Sequence, residues 1–140
     1  MEDFSIHSLK RTVVDLLKLL IVDDNARIRC LIRKIVEPFA CEVFECGNGE
    51  DALTIHLAQR PDVVLMDIRM NGMDGIQAAN QIRAAGHDTV VLIVTNYDDE
   101  ELRQAATDAG AFAYVLKDNL LDLVPLLGDL RQRSPRKPLT

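Results

Sequence analysis

Short apolar runs that alternate with longer amphipathic segments are the feature that most constrains the fold of this chain. The runs lie at residues 17–22, 41–46, 63–66, 89–94 and 112–116. All except 41–46, in which apolar and polar residues alternate, are apolar at nearly every position. Such runs are typical of strands that are buried on both faces of a parallel sheet.

The amphipathic segments between the runs predict helices. In the first of them, one helical face carries the apolar residues Ile28, Leu31, Ile32, Ile35 and Val36. Pro38 ends that pattern, so the first helix is predicted at 25–37. The same periodicity predicts later helices at 49–60, at 76–85, in a segment that ends at Gly110, and at 120–130.

Turn and capping residues refine these helices. We expect Asp74 to cap the third helix, and Asp98, with Glu101 at capping-box spacing, to cap the fourth. Pro125 lies inside the fifth predicted helix, where it would remove a backbone hydrogen bond. A kink or a later start of that helix is therefore predicted.

Five β-α units in succession predict an α/β fold, a doubly wound five-stranded parallel sheet with helices on both faces. The 140 residues suffice for one domain, which we place at 17–131. Residues 1–16 would form an N-terminal extension, in which Ile6, Leu9, Val13 and Leu16 have the spacing of a short helix. Residues 132–140 are basic and contain proline, which is typical of a flexible tail or a linker stub.

Composition narrows the class of protein. The formal net charge of −6 disfavours direct binding of this chain to nucleic acid. The apolar runs are too short to span a membrane, and the first residues lack the pattern of a signal peptide. Three cysteines without a C-x-x-C spacing (Cys30, Cys41 and Cys46) predict free thiols in a reducing compartment. We therefore expect a cytoplasmic protein.

Polar residues follow four of the predicted strands. Asp23 and Asp24 follow the first strand, Asp67 the third, Thr95 the fourth and Lys117 the fifth. Because the carboxyl ends of parallel strands meet at one edge, these side chains should converge where such sheets bind ligands. Each residue alone has an ordinary explanation as a turn, cap or surface residue, but the combination predicts a site.

The chemistry of this combination points to phosphoryl transfer. Three clustered carboxylates repel one another unless a cation is present, and oxygen ligands suit Mg²⁺, with Mn²⁺ as an alternative. A carboxylate can attack phosphorus to form an aspartyl phosphate. Lys117 and Thr95 could then neutralise and hydrogen-bond the transferred group.

Four segments, LLIVDDN, DVVLMDIRMNGMDG, VLIVT and AFAYVLKD, resemble the motifs of response-regulator receiver domains. The resemblance extends over residues 17–130 and implies a flavodoxin-like (βα)5 fold. It implies a switch of a two-component phosphorelay, in which a sensor histidine kinase or a phosphotransfer protein phosphorylates Asp67. The domain would catalyse only its own phosphoryl transfer and dephosphorylation.

The resemblance also implies a role for each site residue. Asp67 and Asp24 would bind Mg²⁺ directly, Asp23 would bind it through water, and the backbone carbonyl of Arg69 would be a further ligand. Thr95 would hydrogen-bond a phosphoryl oxygen, and Lys117 would pair with the phosphoryl group. Tyr114 would be the aromatic switch residue. The surface that changes would be formed by the fourth helix, the fifth strand and the fifth helix.

Three positions depart from the usual family pattern. Asn71 stands where proline is usual, which predicts a more flexible loop. Asn96 stands where a small residue is common, so the lifetime of the phosphorylated form is left open. The pair Lys117 and Asp118 resembles the nitrate-responsive subfamily, whose members usually continue into a helix-turn-helix domain. The output is therefore either a downstream protein or an output domain that this sequence does not contain.

Other functions are less well supported. An aspartate-nucleophile phosphatase would have a second acid two residues after Asp67, where this chain has Arg69. Gly47 and Gly49 do not form a dinucleotide or P-loop fingerprint. A receiver fold used only for docking would lack one of the site residues. The apolar fifth helix is either an ordinary core helix beside a frayed N-terminus, or its surface is covered by the extension, or it pairs two protomers as a homodimer; these alternatives stay open.

Overall fold

Five parallel strands form one sheet in the computed structural model, which describes residues 16–133. The strands are β1 (Leu17–Val22), β2 (Ala40–Cys46), β3 (Val63–Met66), β4 (Val90–Thr95) and β5 (Ala113–Leu116). The helices are α1 (Ala26–Val36), α2 (Gly49–Gln59), α3 (Gly75–Ala84), α4 (Glu100–Asp108) and α5 (Leu123–Gln132). The order β2-β1-β3-β4-β5 confirms the predicted doubly wound parallel sheet.

Two apolar layers cover the two faces of the sheet. Strand β1 supplies both, because Leu19 and Ile21 enter one layer while Leu20 and Val22 enter the other. The first layer is completed by buried residues of α1 and α5, and the second by buried residues of α2, α3 and α4, most of them alanine. Burial on both faces explains why the strand sequences are apolar almost throughout.

The fifth helix starts later than its apolar pattern suggested. Residues Lys117–Asp122 form a 3₁₀ turn, and α5 begins at Leu123. Pro125 is therefore the third helical residue, where a backbone N–H has no partner within the helix. The late start was one of the two predicted outcomes, and it spares the helix a kink.

The predicted cap of the fourth helix is wrong by one residue. Asp99 has extended backbone angles, and its side chain accepts hydrogen bonds from the backbone N–H groups of Glu101 at 2.8 Å and Leu102 at 3.2 Å. Asp98 instead forms an ion pair with Arg103, with 3.0 Å between Nε and Oδ1. The cap of the third helix is confirmed, since Asp74 accepts a hydrogen bond from the Gln77 N–H at 2.9 Å.

The domain limits predicted at 17 and 131 fall close to the ends of the described part. The predicted extension at 1–16 and the tail at 132–140 lie almost wholly outside the described residues, and so does the predicted helix of the extension. Within residues 16–133, no helix is both long and apolar enough to cross a membrane.

Candidate functional site

Three acidic side chains meet at the carboxyl edge of the sheet, as predicted from the strand ends. One carboxylate oxygen each from Asp23, Asp24 and Asp67 lies within 4.8 Å of the others. Asp23 is only 1% exposed and Asp67 only 6%, whereas Asp24 is exposed. The cluster therefore has a buried base and an open side that a small ion or a phosphoryl donor can reach.

A single lysine joins the two buried acids. Lys117 directly follows β5, and its Nζ lies 2.7 Å from Asp23 Oδ2 and 3.0 Å from Asp67 Oδ2. Burial raises the pKa of Asp67, an effect that the Lys117 ammonium opposes and the Asp23 charge reinforces. Burial alone would lower the pKa of Lys117, but the attraction of the Asp23 and Asp67 carboxylates raises it overall. Lys117 therefore remains protonated between the two acids.

The residues present fit a hard divalent cation. One ammonium group faces three carboxylates, so negative charge remains in excess. Asp23 Oδ2 is buried beside the Lys117 ammonium, and within residues 16–133 no hydrogen bond of good geometry reaches it. An all-oxygen donor set with one exposed side suits Mg²⁺ or Mn²⁺, which retain water ligands, better than zinc.

Local backbone bonds hold the acids in place. The N–H of Asn25 donates to Asp23 Oδ1 and the N–H of Ile68 donates to Asp67 Oδ1, both at 2.8 Å. Gly75 donates its N–H to the Ile68 carbonyl at 2.8 Å, so α3 starts directly against the end of β3. A Cβ at Gly75 would lie 1.8 Å from the Asp67 carbonyl oxygen, so only glycine fits there.

Thr95 and Tyr114 are connected through the loop after β4. Thr95 is fully buried, and its hydroxyl accepts a hydrogen bond from the Tyr97 N–H at 3.4 Å. The Tyr114 hydroxyl donates to the Tyr97 carbonyl at 2.7 Å, and the Arg103 guanidinium lies 4.5 Å from the Tyr114 ring centre. Burial raises the pKa of Tyr114. The two predicted switch residues are therefore bonded to opposite sides of one residue, Tyr97.

The Arg69 side chain takes no part in the acid cluster. It is exposed, and its guanidinium lies 4.8 Å from the centre of the Tyr97 ring. The predicted ligand is the Arg69 backbone carbonyl, two residues after Asp67, and that role stays a prediction.

Sequence reasoning did not identify three residues that support the site. Arg29 donates from Nη1 to the Asp23 carbonyl oxygen at 2.5 Å and from Nε to Glu45 at 3.0 Å. Glu50 accepts a hydrogen bond from the Met73 N–H at 3.2 Å, which ties the loop after β3 to α2. The alternating pattern of β2 left Glu45 on a partly exposed face, but nothing in the sequence shows which helix faces it.

Known proteins resemble this chain over most of its length. The sequence model of the protein family described as "response regulator receiver domain" matches residues 19–125. Sporulation initiation phosphotransferase F of Bacillus subtilis is 34% identical over 100 residues, covering 71% of this chain and 81% of that protein. The cyclic di-GMP phosphodiesterase response regulator RpfG of Xanthomonas campestris is 37% identical over 133 residues, covering 84% of this chain but only 35% of RpfG.

Solved structures agree with the sequence comparison. The signal receiver domain described as that of NarL from Mycobacterium tuberculosis has a TM-score of 0.75 at 28% identity, covering 84% of this chain and 97% of that one. The receiver domain of the histidine kinase CKI1 from Arabidopsis thaliana, solved with Mg²⁺, has a TM-score of 0.68 at 26% identity, covering 81% and 91%. The acid cluster, the fold and these similarities together show that the chain belongs to the response regulator receiver domain family.

Proposed function

We propose that this domain is a phosphorylation-dependent switch that accepts a phosphoryl group on Asp67 from a histidine kinase or a phosphotransfer protein. The observation that carries the proposal is a buried Asp67 held at 3.0 Å by Lys117 beside two further acids. A carboxylate oxygen of Asp67 would attack phosphorus. The bond from phosphorus to the donor histidine would break, and its electron pair would return to the imidazole nitrogen.

The residues around Asp67 have separate tasks in this step. Asp23, Asp24, Asp67 and the Arg69 carbonyl would hold Mg²⁺, which when bound offsets the negative charge that gathers on the phosphoryl oxygens. Lys117 opposes the effect of burial that raises the pKa of Asp67, and it supplies a second positive charge from within the fold. The domain would thereby catalyse its own phosphorylation and dephosphorylation and no reaction of another substrate.

The bonds around Tyr97 offer a route from the site to the surface. A phosphoryl group on Asp67 would draw the Thr95 hydroxyl away from the Tyr97 N–H, a contact that is already long at 3.4 Å. The loop that contains Tyr97 would then move, and with it the carbonyl that holds the Tyr114 hydroxyl. The face formed by α4, β5 and α5 would change as a result.

Exposed apolar side chains beside the site would form a docking surface for the phosphodonor protein. Leu31 is 47% exposed on α1 and Leu121 is 71% exposed in the turn before α5, and both line a groove that also contains Lys117. Exposed apolar side chains next to the acceptor would allow a protein donor to dock. Replacing Leu121 with Asp should slow phosphoryl transfer from a protein donor but leave the reaction with acetyl phosphate unchanged. Leu57→Asp, at a leucine of α2 that is 53% exposed, is the matched control.

The switch would act through a partner. The acidic start of α4, which includes Asp98 and Glu101, would favour a basic downstream partner. An output domain in a longer chain or a homodimer through the α4-β5-α5 face would serve the same purpose. RpfG is about three times as long as the matched part, so its activity is not carried over. The free cysteines Cys30, Cys41 and Cys46 support action in the cytoplasm.

The proposal is tested by the intact mass of the protein after incubation with Mg²⁺ and acetyl phosphate. The wild type should gain the mass of one phosphoryl group, and Asp67→Asn should gain none. Equal labelling of both proteins would place the acceptor elsewhere. No labelling of either, from acetyl phosphate or from a protein donor, would refute the proposed switch.

A further inference from the structure

Arg29 reaches from α1 to the backbone of the acid cluster. Its Nη1 donates to the carbonyl oxygen of Asp23 at 2.5 Å, and that carbonyl belongs to the peptide that joins Asp23 to Asp24. The N–H of Asp23 donates to the Cys46 carbonyl at 3.1 Å. The main chain of Asp23 is therefore held on one side by β2 and on the other by Arg29.

Glu45 on β2 holds Arg29 in this position. Glu45 Oε1 lies 3.0 Å from Arg29 Nε, and Glu45 Oε2 lies 2.6 Å from Arg33 Nε. The side chains of Arg29 and Glu45 are only 21% and 27% exposed. Burial acts to raise the pKa of Glu45, but its hydrogen bonds to Arg33 and Arg29 outweigh this and lower it. The carboxylate stays ionised, and it offsets the guanidinium charge near the acid cluster.

Gly47 completes this arrangement. A Cβ at Gly47 would lie 3.6 Å from Arg29 Nη1 and 3.7 Å from the Cα of Asp24. The guanidinium and the turn that presents Asp24 thus border the same small residue. Asp24 is exposed, so no burial of its side chain fixes its direction. The direction of the Asp24 carboxylate is therefore set mainly by the orientation of the Asp23–Asp24 peptide.

We propose that Arg29, held by Glu45, is a positioning residue that orients the Asp23–Asp24 peptide and thereby the divalent ion that Asp24 and its neighbours bind. The inference rests on the proposed function for the existence of the ion site. Groups that orient metal ligands from behind commonly change metal affinity by about 10-fold or more when they are removed.

The sign of the effect separates positioning from simple electrostatics. Arg29 is a positive charge close to a cation site, so removing it should strengthen Mg²⁺ binding if charge were its only contribution. If Arg29 positions the peptide, the same change should weaken Mg²⁺ binding by about 10-fold. Arg33→Ala is the matched control, because Arg33 also binds Glu45 and has the same charge. Its loss should leave the affinity for Mg²⁺ unchanged or slightly higher.

The experiment is isothermal titration of unphosphorylated protein with MgCl₂, using the wild type, Arg29→Ala, Arg33→Ala and Arg29→Lys, with folding checked by circular dichroism. We expect weaker binding in Arg29→Ala and an intermediate dissociation constant in Arg29→Lys, whose single ammonium cannot bridge Glu45 and the Asp23 carbonyl as the guanidinium does. If Arg29→Ala does not fold, Arg29→Lys decides alone: a dissociation constant equal to that of the wild type would overturn the inference.

Two outcomes count against the inference, and they differ in what else they refute. Tighter or unchanged binding in Arg29→Ala, beside measurable binding in the wild type, would overturn the role of Arg29 and leave the proposed function intact. No Mg²⁺ binding by the wild type would refute the ion site itself, and with it both the proposed function and the role of Arg29.

Discussion

The carboxyl and amino edges of the sheet, where the strands end and begin, both bury ionisable groups. The surroundings of these groups differ between the two edges. At the carboxyl edge, Asp23 and Asp67 are paired with Lys117 at 2.7 and 3.0 Å. At the amino edge, His56 is fully buried with its ring centre 5.2 Å from that of His87, and its Nε2 has no hydrogen-bond partner within residues 16–133.

The pKa shifts follow from this difference. Burial lowers the pKa of His56, and the nearby charges of His87 and Arg60 lower it further, so the imidazole is kept neutral. The carboxyl edge instead keeps opposite charges in place, which costs desolvation free energy that a purely structural core would avoid. We therefore expect the buried acids paired with Lys117 to serve function and the buried neutral His56 to serve packing.

The largest expected effect is on the rate of phosphorylation. Replacing Lys117 with Gln removes the positive charge next to Asp67, so the rate with acetyl phosphate should fall by about 100-fold or more, as when a transition-state donor is removed. Lys18→Gln is the matched control, because Lys18 lies at the amino edge and donates to the Gln59 carbonyl at 2.9 Å. A rate in Lys117→Gln within a few-fold of the wild type would remove Lys117 from the mechanism.

The second prediction is a substitution at the amino edge that lowers stability but leaves the rate of phosphorylation unchanged. His56→Ala leaves a cavity in the packed amino edge and should lower the free energy of unfolding by about 2 kcal/mol. The rate of phosphorylation by acetyl phosphate should stay as in the wild type. Urea denaturation and intact-mass kinetics check the two parts, with the half-buried His87→Ala as the milder comparison. A large loss of phosphorylation in folded His56→Ala would link the two edges functionally.

The third prediction is a pH dependence that comes from His56. Because the folded-state pKa is lowered below the usual 6.5, the unfolded chain binds a proton first as the pH falls. The free energy of unfolding should therefore decrease from about pH 6.5 down to the lowered pKa, with a slope of at most about 1.4 kcal/mol per pH unit. His56→Ala should show a flatter profile in this range, and an identical profile in both proteins would exclude His56 as the source.

The smallest expected effect is on stability at the carboxyl edge. Asp67→Asn removes one of two buried acids that repel each other, while Lys117 keeps its partner Asp23. The free energy of unfolding should change by less than about 1 kcal/mol, although phosphorylation is lost. A loss of several kcal/mol, measured in urea, would show that Asp67 is mainly a structural residue.

The sequence predicted the sheet because strands buried on both faces must be apolar throughout, and it predicted the meeting of Asp23, Asp67 and Lys117 because parallel strands end at one edge. It did not predict Arg29 and Glu45, whose contact joins α1 to β2 across 16 residues. The cap at Asp99 was missed because Asp98 and Asp99 have the same capping chemistry, and only backbone angles distinguish them. The burial of His56 was not predicted because His56 is the one polar residue among the buried residues of its helix, and no pattern in the sequence indicates such an exception.

The central claim is that phosphorylation acts at the carboxyl edge and passes through the loop after β4 to the face formed by α4, β5 and α5. Hydrogen exchange of the wild type, with and without sustained acetyl phosphate and Mg²⁺, tests it most directly. We expect changed exchange at residues 95–116 and 123–132 and unchanged exchange at residues 56–62 and 86–90. Equal changes at both edges, or changes at the amino edge alone, would contradict the account.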